Sequence, residues 1–376
     1  MNIDLIANDG SPIGVIPPDV FGKGVGGAEL AMVNLMATFA ARGHKVTVFN
    51  DPVKEAKFDD GVTYRSRRHF NARAQGKRDV LIVFRSPNPL LVGAKVNLRK
   101  VWWSTDQHTV GNFKVLSQAV DFCVTISPYH TKYHLEKYGI DPKKIGHIDL
   151  GVRLNDYSDR VLWIDRGKKD DDGKPIDYKI EASQVSKIKN RMIFCSVPDR
   201  GLSILHAAWP LILAQVPDAT LSITSDYRLW GAKANNAQHR LNWAGMKGVT
   251  FYGKVYRDEL IKFQLESEIM PYPCIYEELF CISAAECQVA GAFPVTTPIG
   301  ALSSTNEFGI KAMGDLRNPT ALRENFVDRI CSLATKERDY LEDRIDGMML
   351  AARLRFDWDK IAEKWEYLFE EGRLPI

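Results

Sequence analysis

The stretch GKGVGGAELAMVNLMATFAARGHKVTVFN, residues 22–50, decides the fold. From about Gly27 to Arg42 its apolar residues recur at helical spacing, Gly43 stops the helix, and the β-branched run from Lys45 to Phe49 reads as a strand. Residues 2–7 upstream read as a first buried strand. Strand, helix and strand in that order predict a parallel sheet covered on both faces. The glycines at 22, 24, 26 and 27 open the helix and let a ligand approach the backbone closely, with Gly26 and Gly27 as the candidate contacts. More than a dozen residues separate the first strand from this helix, so the tight GxGxxG turn of dinucleotide folds is absent. A sugar or a phosphate is expected there, not a dinucleotide cofactor.

Outward from that stretch the alternation continues. Further strands are expected at residues 79–84, 100–104 and 121–127. Between about 152 and 189 the pattern lapses into polar, charged sequence, which reads as a connection plus an insertion. Asp170, Asp171 and Asp172 inside it read as solvated acids, with no metal assigned. A second alternating unit begins at Arg191: strand 192–195, helix 201–215, strand 219–224, helices near 234–244 and 258–263 flanking strand 249–252, an apolar stretch near Met270, helix 280–290 and strand 293–296. The fold class is therefore α/β, with two Rossmann-like domains in tandem. The boundaries are residues 1–155 for the first, 156–190 for the linker and insertion, 191–355 for the second, and 356–376 for a terminal helix returning to the first.

Composition sets limits without naming an activity. At 376 residues, 45% hydrophobic and 26% charged, the chain is long enough for two full cores. No apolar run reaches the roughly 20 residues that span a bilayer, and the first residues lack a signal-peptide pattern, so a cytoplasmic protein is expected. The six cysteines form no CxxC pair, and neither disulfides nor zinc are expected. A net charge of +3 is too small to announce a nucleic-acid binder. One local asymmetry stands out: Arg65, Arg67, Arg68, Arg73, Lys77 and Arg78 follow one another with no acid between them. That segment reads as a solvated loop, or as a face for an anionic acceptor or lipid headgroups.

The strongest local motif is YEELFCISAAECQVAGAFPVTT, residues 276–297. Glu278 and Glu286 are eight apart, just over two helical turns, so they can serve one ligand only if Glu278 precedes the helix. The amides of Leu279, Phe280, Cys281, Ile282 and Ser283 then lie at a helix start, where unpaired N–H groups and the dipole favour a phosphate or a sugar oxygen. The apolar neighbours imply burial, and a buried carboxylate needs a polar partner. A second motif, FCSVPDRGLSILHAAWP at residues 194–210, places Arg200 at the carboxyl edge of a parallel sheet, where a guanidinium can clamp a diphosphate. The architectural alternative makes Asp199 a helix cap.

Together these segments resemble the retaining glycosyltransferases of the GT-B fold, the group 1 family also called GT4. GGAE followed by RGHKVTVF is similar to that family's amino-terminal signature, Glu278 and Glu286 with AGAFPV to its paired-glutamate donor motif, ISPYHTKYHLEKYG with IDLGV to the stretch closing its first domain, and SVPDRGL to its donor-phosphate turn. The resemblance implies two Rossmann-like domains facing each other across a cleft and a UDP- or GDP-type nucleotide-diphosphate sugar as donor substrate, with no further cofactor. It gives Glu286 the donor ribose, Glu278 the transferred hexose and Arg200 the leaving diphosphate. It also implies metal-independent transfer to a hydroxyl acceptor, a glycan, lipid-linked molecule, protein or nucleic acid. The sequence departs from the family twice. The second cation is missing, since Leu202, Ser203 and Ile204 follow the turn. The His-Asp pair reads here as Thr105 and Asp106, with His108 displaced, so Asp106 is the candidate acceptor-side residue. The alternatives are a non-catalytic nucleotide-sugar-binding protein, an epimerase or phosphorylase on the same scaffold, and a transferase whose acceptor is a modified nucleic-acid base.

Overall fold

The computed structural model describes residues 1–7, 14–22, 25–74, 76–86, 94–107, 113–157, 161–169, 175–181, 185–230 and 237–375. By their internal contacts they divide into two compact units, one of Met1–Val20, Gly27–Gly151 and Phe356–Ile376, the other of Phe21–Gly26 and Val152–Arg355.

The first unit is built on an eight-stranded sheet. Its strands are β1 (Asn2–Ala7), β2 (Lys45–Phe49), β3 (Ala56–Lys57), β4 (Thr63–Arg65), β5 (Val80–Phe84), β6 (Arg99–Trp103), β7 (Phe122–Thr125) and β8 (Ile145–His147), in the spatial order β3-β4-β2-β1-β5-β6-β7-β8. Every described pairing is parallel except β3 with β4. β5 is buried along its whole length, as a central strand covered on both faces requires. The helix Gly27–Ala41 follows β1 and feeds β2. The helix Trp358–Glu371 packs in this unit: Trp365 meets Trp103 edge-on at 5.4 Å, Phe369 meets Phe39 at 5.7 Å, and Glu366 takes two 2.8 Å bonds from Arg42. Gly151 is small by necessity, since a Cβ there would sit 2.4 Å from the Trp358 ring.

Two histidines on the helix Pro128–Tyr138 are buried in the first unit, their rings edge-to-face at 4.4 Å. Burial holds the His134 pKa down at about 4, and burial together with the His134 charge holds His130 well below its ordinary value. Both fold as neutral rings, whereas the unfolded chain protonates them near pH 6.5, so stability is full above that pH and is lost as the pH falls toward about 4. The expected loss is about 1.4 kcal/mol per pH unit for each ring that must stay neutral. Thermal unfolding between pH 7 and 4.5 checks this: the melting temperature should fall more steeply in the wild type than in a His130→Gln/His134→Gln variant, and equal slopes would contradict it.

The second unit carries an all-parallel six-stranded sheet of β11 (Arg191–Phe194), β12 (Thr220–Ile223), β13 (Val249–Phe251), β14 (Ile269–Tyr272), β15 (Phe293–Thr296) and β16 (Ile310–Lys311), ordered β13-β12-β11-β14-β15-β16. Helices Leu202–Gln215, Arg257–Glu266, Ile282–Ala290 and Asp328–Ala334 pack around it, and Trp209, Phe194, Phe293 and Phe326 are fully buried in its core. The segment expected to be a polar linker and insertion holds two strands of its own, β9 (Val161–Lys169) and β10 (Pro175–Glu181), paired antiparallel. The signal was present in PIDYKIE, where Ile176, Tyr178 and Ile180 alternate with charged residues at period two. Asp170, Asp171 and Asp172 lie outside the described residues. All six cysteines are buried free thiols.

Candidate functional site

In the second unit the site is assembled where β11 and its neighbour β14 end side by side. After β11 the chain makes a short 3₁₀ turn, Pro198–Arg200, and passes through Gly201 at φ +100°. A Cβ on Gly201 would sit 2.2 Å from the Pro273 carbonyl just past β14, so glycine is what lets the two strand ends close up. That approach brings Arg200 to Glu278, Nε to Oε1 at 2.9 Å. The Tyr272 hydroxyl donates to the same Oε1 at 2.8 Å and lies 3.1 Å from Ser196 Oγ, and the Arg200 guanidinium sits 3.4 Å from the centroid of the Tyr276 ring. Burial works against the Arg200 charge, but the Glu278 carboxylate holds its pKa above the ordinary value. Asp199 is not a helix cap: no side chain caps this helix, and Asp199 accepts from the Tyr227 hydroxyl at 2.5 Å.

Glu278 does precede the helix, which runs from Ile282 to Ala290. Its backbone is fixed by Ala301, whose N–H donates to the Glu278 carbonyl at 2.7 Å. Leu279, Phe280 and Cys281 are buried, and Cys281 enters the helix at φ +70°, a left-handed conformation that non-glycine residues hold only where their surroundings impose it. Ser283 is tied down by its side chain, which donates to the Cys195 carbonyl at 2.6 Å and so pins the first turn of the helix to the end of β11.

Glu286, 3% exposed, belongs to a different network. Its Oε1 lies 2.6 Å from the Arg257 guanidinium, its Oε2 accepts from Gln264 at 3.1 Å, and Gln264 in turn accepts from the Tyr157 hydroxyl at 2.6 Å. Burial opposes the Arg257 charge, yet Glu286 raises its pKa above normal. The structure brings Arg200 to Glu278 but not to Glu286, whose partners Arg257, Gln264 and Tyr157 sequence reasoning missed. Only the need of a buried carboxylate for a polar partner pointed to their existence.

Gly26 ends the short segment assigned to the second unit, and Gly27 opens the helix Gly27–Ala41 of the first, which carries Glu29 in its first turn. Asp106 lies just past β6, and its carboxylate is held on both oxygens by Arg85, which also reaches Glu29 Oε1 at 2.8 Å. Arg85 follows β5 at φ +69°, and its carbonyl accepts from the Trp102 indole at 2.6 Å. His130 approaches the Asp106 carbonyl with its Nε2 at 3.3 Å. Arg85 is a residue the sequence reading passed over, although an arginine at the carboxyl end of a buried strand was visible. His108 lies outside the described residues. Among the described residues no three histidine, cysteine, aspartate or glutamate side chains converge as a metal site, and no helix is long and apolar enough to cross a membrane.

Comparison with known proteins agrees with this architecture. Residues 190–336 match the family described as Glycosyl transferases group 1. No curated protein matches the chain by sequence. Among solved structures, a glycosyltransferase from Rickettsia africae superposes with a TM-score of 0.69 at 15% identity, covering 98% of both chains. A sucrose-phosphate synthase from Thermosynechococcus elongatus gives 0.65 at 14% identity, again over 98% of both. Anabaena HepE in complex with UDP-glucose gives 0.66 at 15% identity, covering 97% of this chain and 99% of that one. Residues 190–336 thus match a group 1 glycosyltransferase model, and the chain has the α/β fold of GT-B glycosyltransferase structures.

Proposed function

We propose that the protein transfers a hexose from a UDP- or GDP-type nucleotide sugar to a hydroxyl acceptor, with retention at the anomeric carbon and without a metal. The observation that carries this reading is the Arg200–Glu278 pair, set at the carboxyl ends of β11 and β14 inside the matched domain. As the bond from the anomeric carbon to the diphosphate breaks, its electron pair goes to the diphosphate oxygen, and Arg200 neutralises the charge that builds there. The acceptor oxygen bonds to the anomeric carbon on the face the diphosphate leaves, and its proton passes to a diphosphate oxygen. Glu278 binds its protein partners through Oε1, and its Oε2 accepts from a hydroxyl of the transferred sugar. In this reading Arg200 supplies the leaving group with the cation that a metal would otherwise provide.

Thermal-shift titration with UDP, GDP, UDP-glucose and GDP-mannose, followed by turnover of the ligand that binds, tests the reading. At 100 times its dissociation constant a donor stabilises the fold by about 2.7 kcal/mol. Turnover should survive EDTA. No shift with any of the four, or a shift and turnover unchanged in Glu278→Gln, would remove the assignment.

A further inference from the structure

The first unit has a cavity that none of the donor chemistry uses. β1, β2 and β4 run parallel, so their carboxyl ends share one edge, the usual place for ligands in such sheets. There, Ile6, Asp51 and Ser66 join Arg67, Arg68 and Phe70 around a cavity of 450 Å³. Its floor is apolar: Ile6 is buried, and Phe70 packs edge-on against Phe49 at 5.3 Å and under the Arg78 guanidinium at 4.6 Å. Its rim is basic. Asp51, left-handed at φ +55°, receives the Arg67 backbone N–H at 2.6 Å, the Arg67 Nε at 2.5 Å and the Ser66 hydroxyl at 2.8 Å, which fixes the turn that carries both arginines. Arg68 beside it is exposed and has no carboxylate partner among the described residues.

The charge at this edge is unbalanced. Among the described residues Arg65 is met by Glu55 and Arg67 by Asp51, Arg78 turns inward to Asp4, and Arg68 is left facing the cavity. Arg68 therefore presents its guanidinium to a ligand anion next to the Ser66 hydroxyl, and an arginine fork binds a phosphate with paired charge-assisted bonds. The volume is that of a small-molecule site and too small for a nucleic-acid duplex. We propose that this cavity receives the acceptor and that the acceptor carries a phosphate monoester gripped by Arg68, with its apolar face on Phe70. The inference rests on the transferase reading above, because only that reading requires an acceptor.

Calorimetric titration of the full chain with glucose 6-phosphate, glucuronate and glucose tests it, beside vesicles of phosphatidic acid or of phosphatidylcholine alone. Glucose 6-phosphate should bind at least about tenfold tighter than glucose or glucuronate, and Arg68→Ala should remove most of that advantage while Arg68→Lys keeps part of it. If Arg68-dependent binding is found with phosphatidic acid and not with the free sugar phosphate, the phosphate belongs to a lipid headgroup. Equal binding of glucuronate, or an Arg68→Ala protein that binds every phosphate probe like the wild type, would overturn the proposal, as would no preference for either phosphate over its uncharged counterpart. Thermal shifts with UDP, GDP, UDP-glucose and GDP-mannose run in parallel separate the two readings. Their absence from the wild type counts against the transferase, whereas their presence without phosphate binding counts against this pocket alone.

Discussion

Arg200→Ala is expected to lower turnover with the active nucleotide sugar by roughly 10²–10³-fold, the usual effect of deleting one group that stabilises developing charge. The guanidinium is mostly buried, pairs with Glu278 and lies against Tyr276, so its charge is poorly screened by water and strongly felt by a leaving diphosphate. Because the negative charge grows only as the bond breaks, the loss should fall on kcat more than on nucleoside diphosphate affinity. Arg200→Lys should recover a fraction of the rate, since it restores the charge but not the two-pronged geometry. Steady-state kinetics with UDP binding measured separately checks this. A loss of nucleoside diphosphate affinity with kcat unchanged would recast Arg200 as a simple binding residue.

Arg257→Ala should destabilise the second unit by about 3–5 kcal/mol, enough to unfold many domains at ordinary temperature. Arg257 is 8% exposed and its guanidinium is the cationic partner of Glu286, so truncation strands a carboxylate in the interior. Arg257→Met combined with Glu286→Gln should recover most of the loss, because the double variant removes both charges and Gln264 can still bond to an amide at position 286. Urea unfolding of the wild type, both single variants and the double variant gives the coupling directly. Additive effects would show that the pair contributes nothing beyond packing. The same pair bears on ligand recognition: in the transferase reading a ribose hydroxyl bonds to a Glu286 oxygen that is already charge-neutralised, and Glu286→Ala should then weaken the nucleotide less than an unpaired carboxylate would.

Much of this arrangement was legible in the sequence because it follows from period and punctuation. β1, β2 and β15 begin and end where the apolar and β-branched runs do, and Gly43 and Gly291 stop their helices where a left-handed residue is needed. Strands of two or three residues, such as β3, β4, β8 and β16, carry too little pattern to show. At the site, the sequence exposed the residues whose type is unusual for their place, Arg200 at a strand end and Glu278 before an apolar helix. It did not expose partners that arrive from elsewhere in the chain. Arg257 reaches Glu286 across 29 positions and Arg85 reaches Asp106 across 21, and local pattern holds no information about such pairings. The departure from the family at Thr105 drew attention to Asp106, yet what holds Asp106 is an arginine in a left-handed turn one strand earlier in the sequence.

The unit containing both termini is interrupted in sequence, and its last element is Trp358–Glu371. During synthesis, then, the second unit has all of its residues in hand once Arg355 is made, while the sheet before it still waits for the side chains that will cover Trp103 and Phe39. Until Trp365 and Phe369 have been made, Trp103 and Phe39 lack the rings that pack on them, so the earlier-made half of the polypeptide is the later one to complete its core.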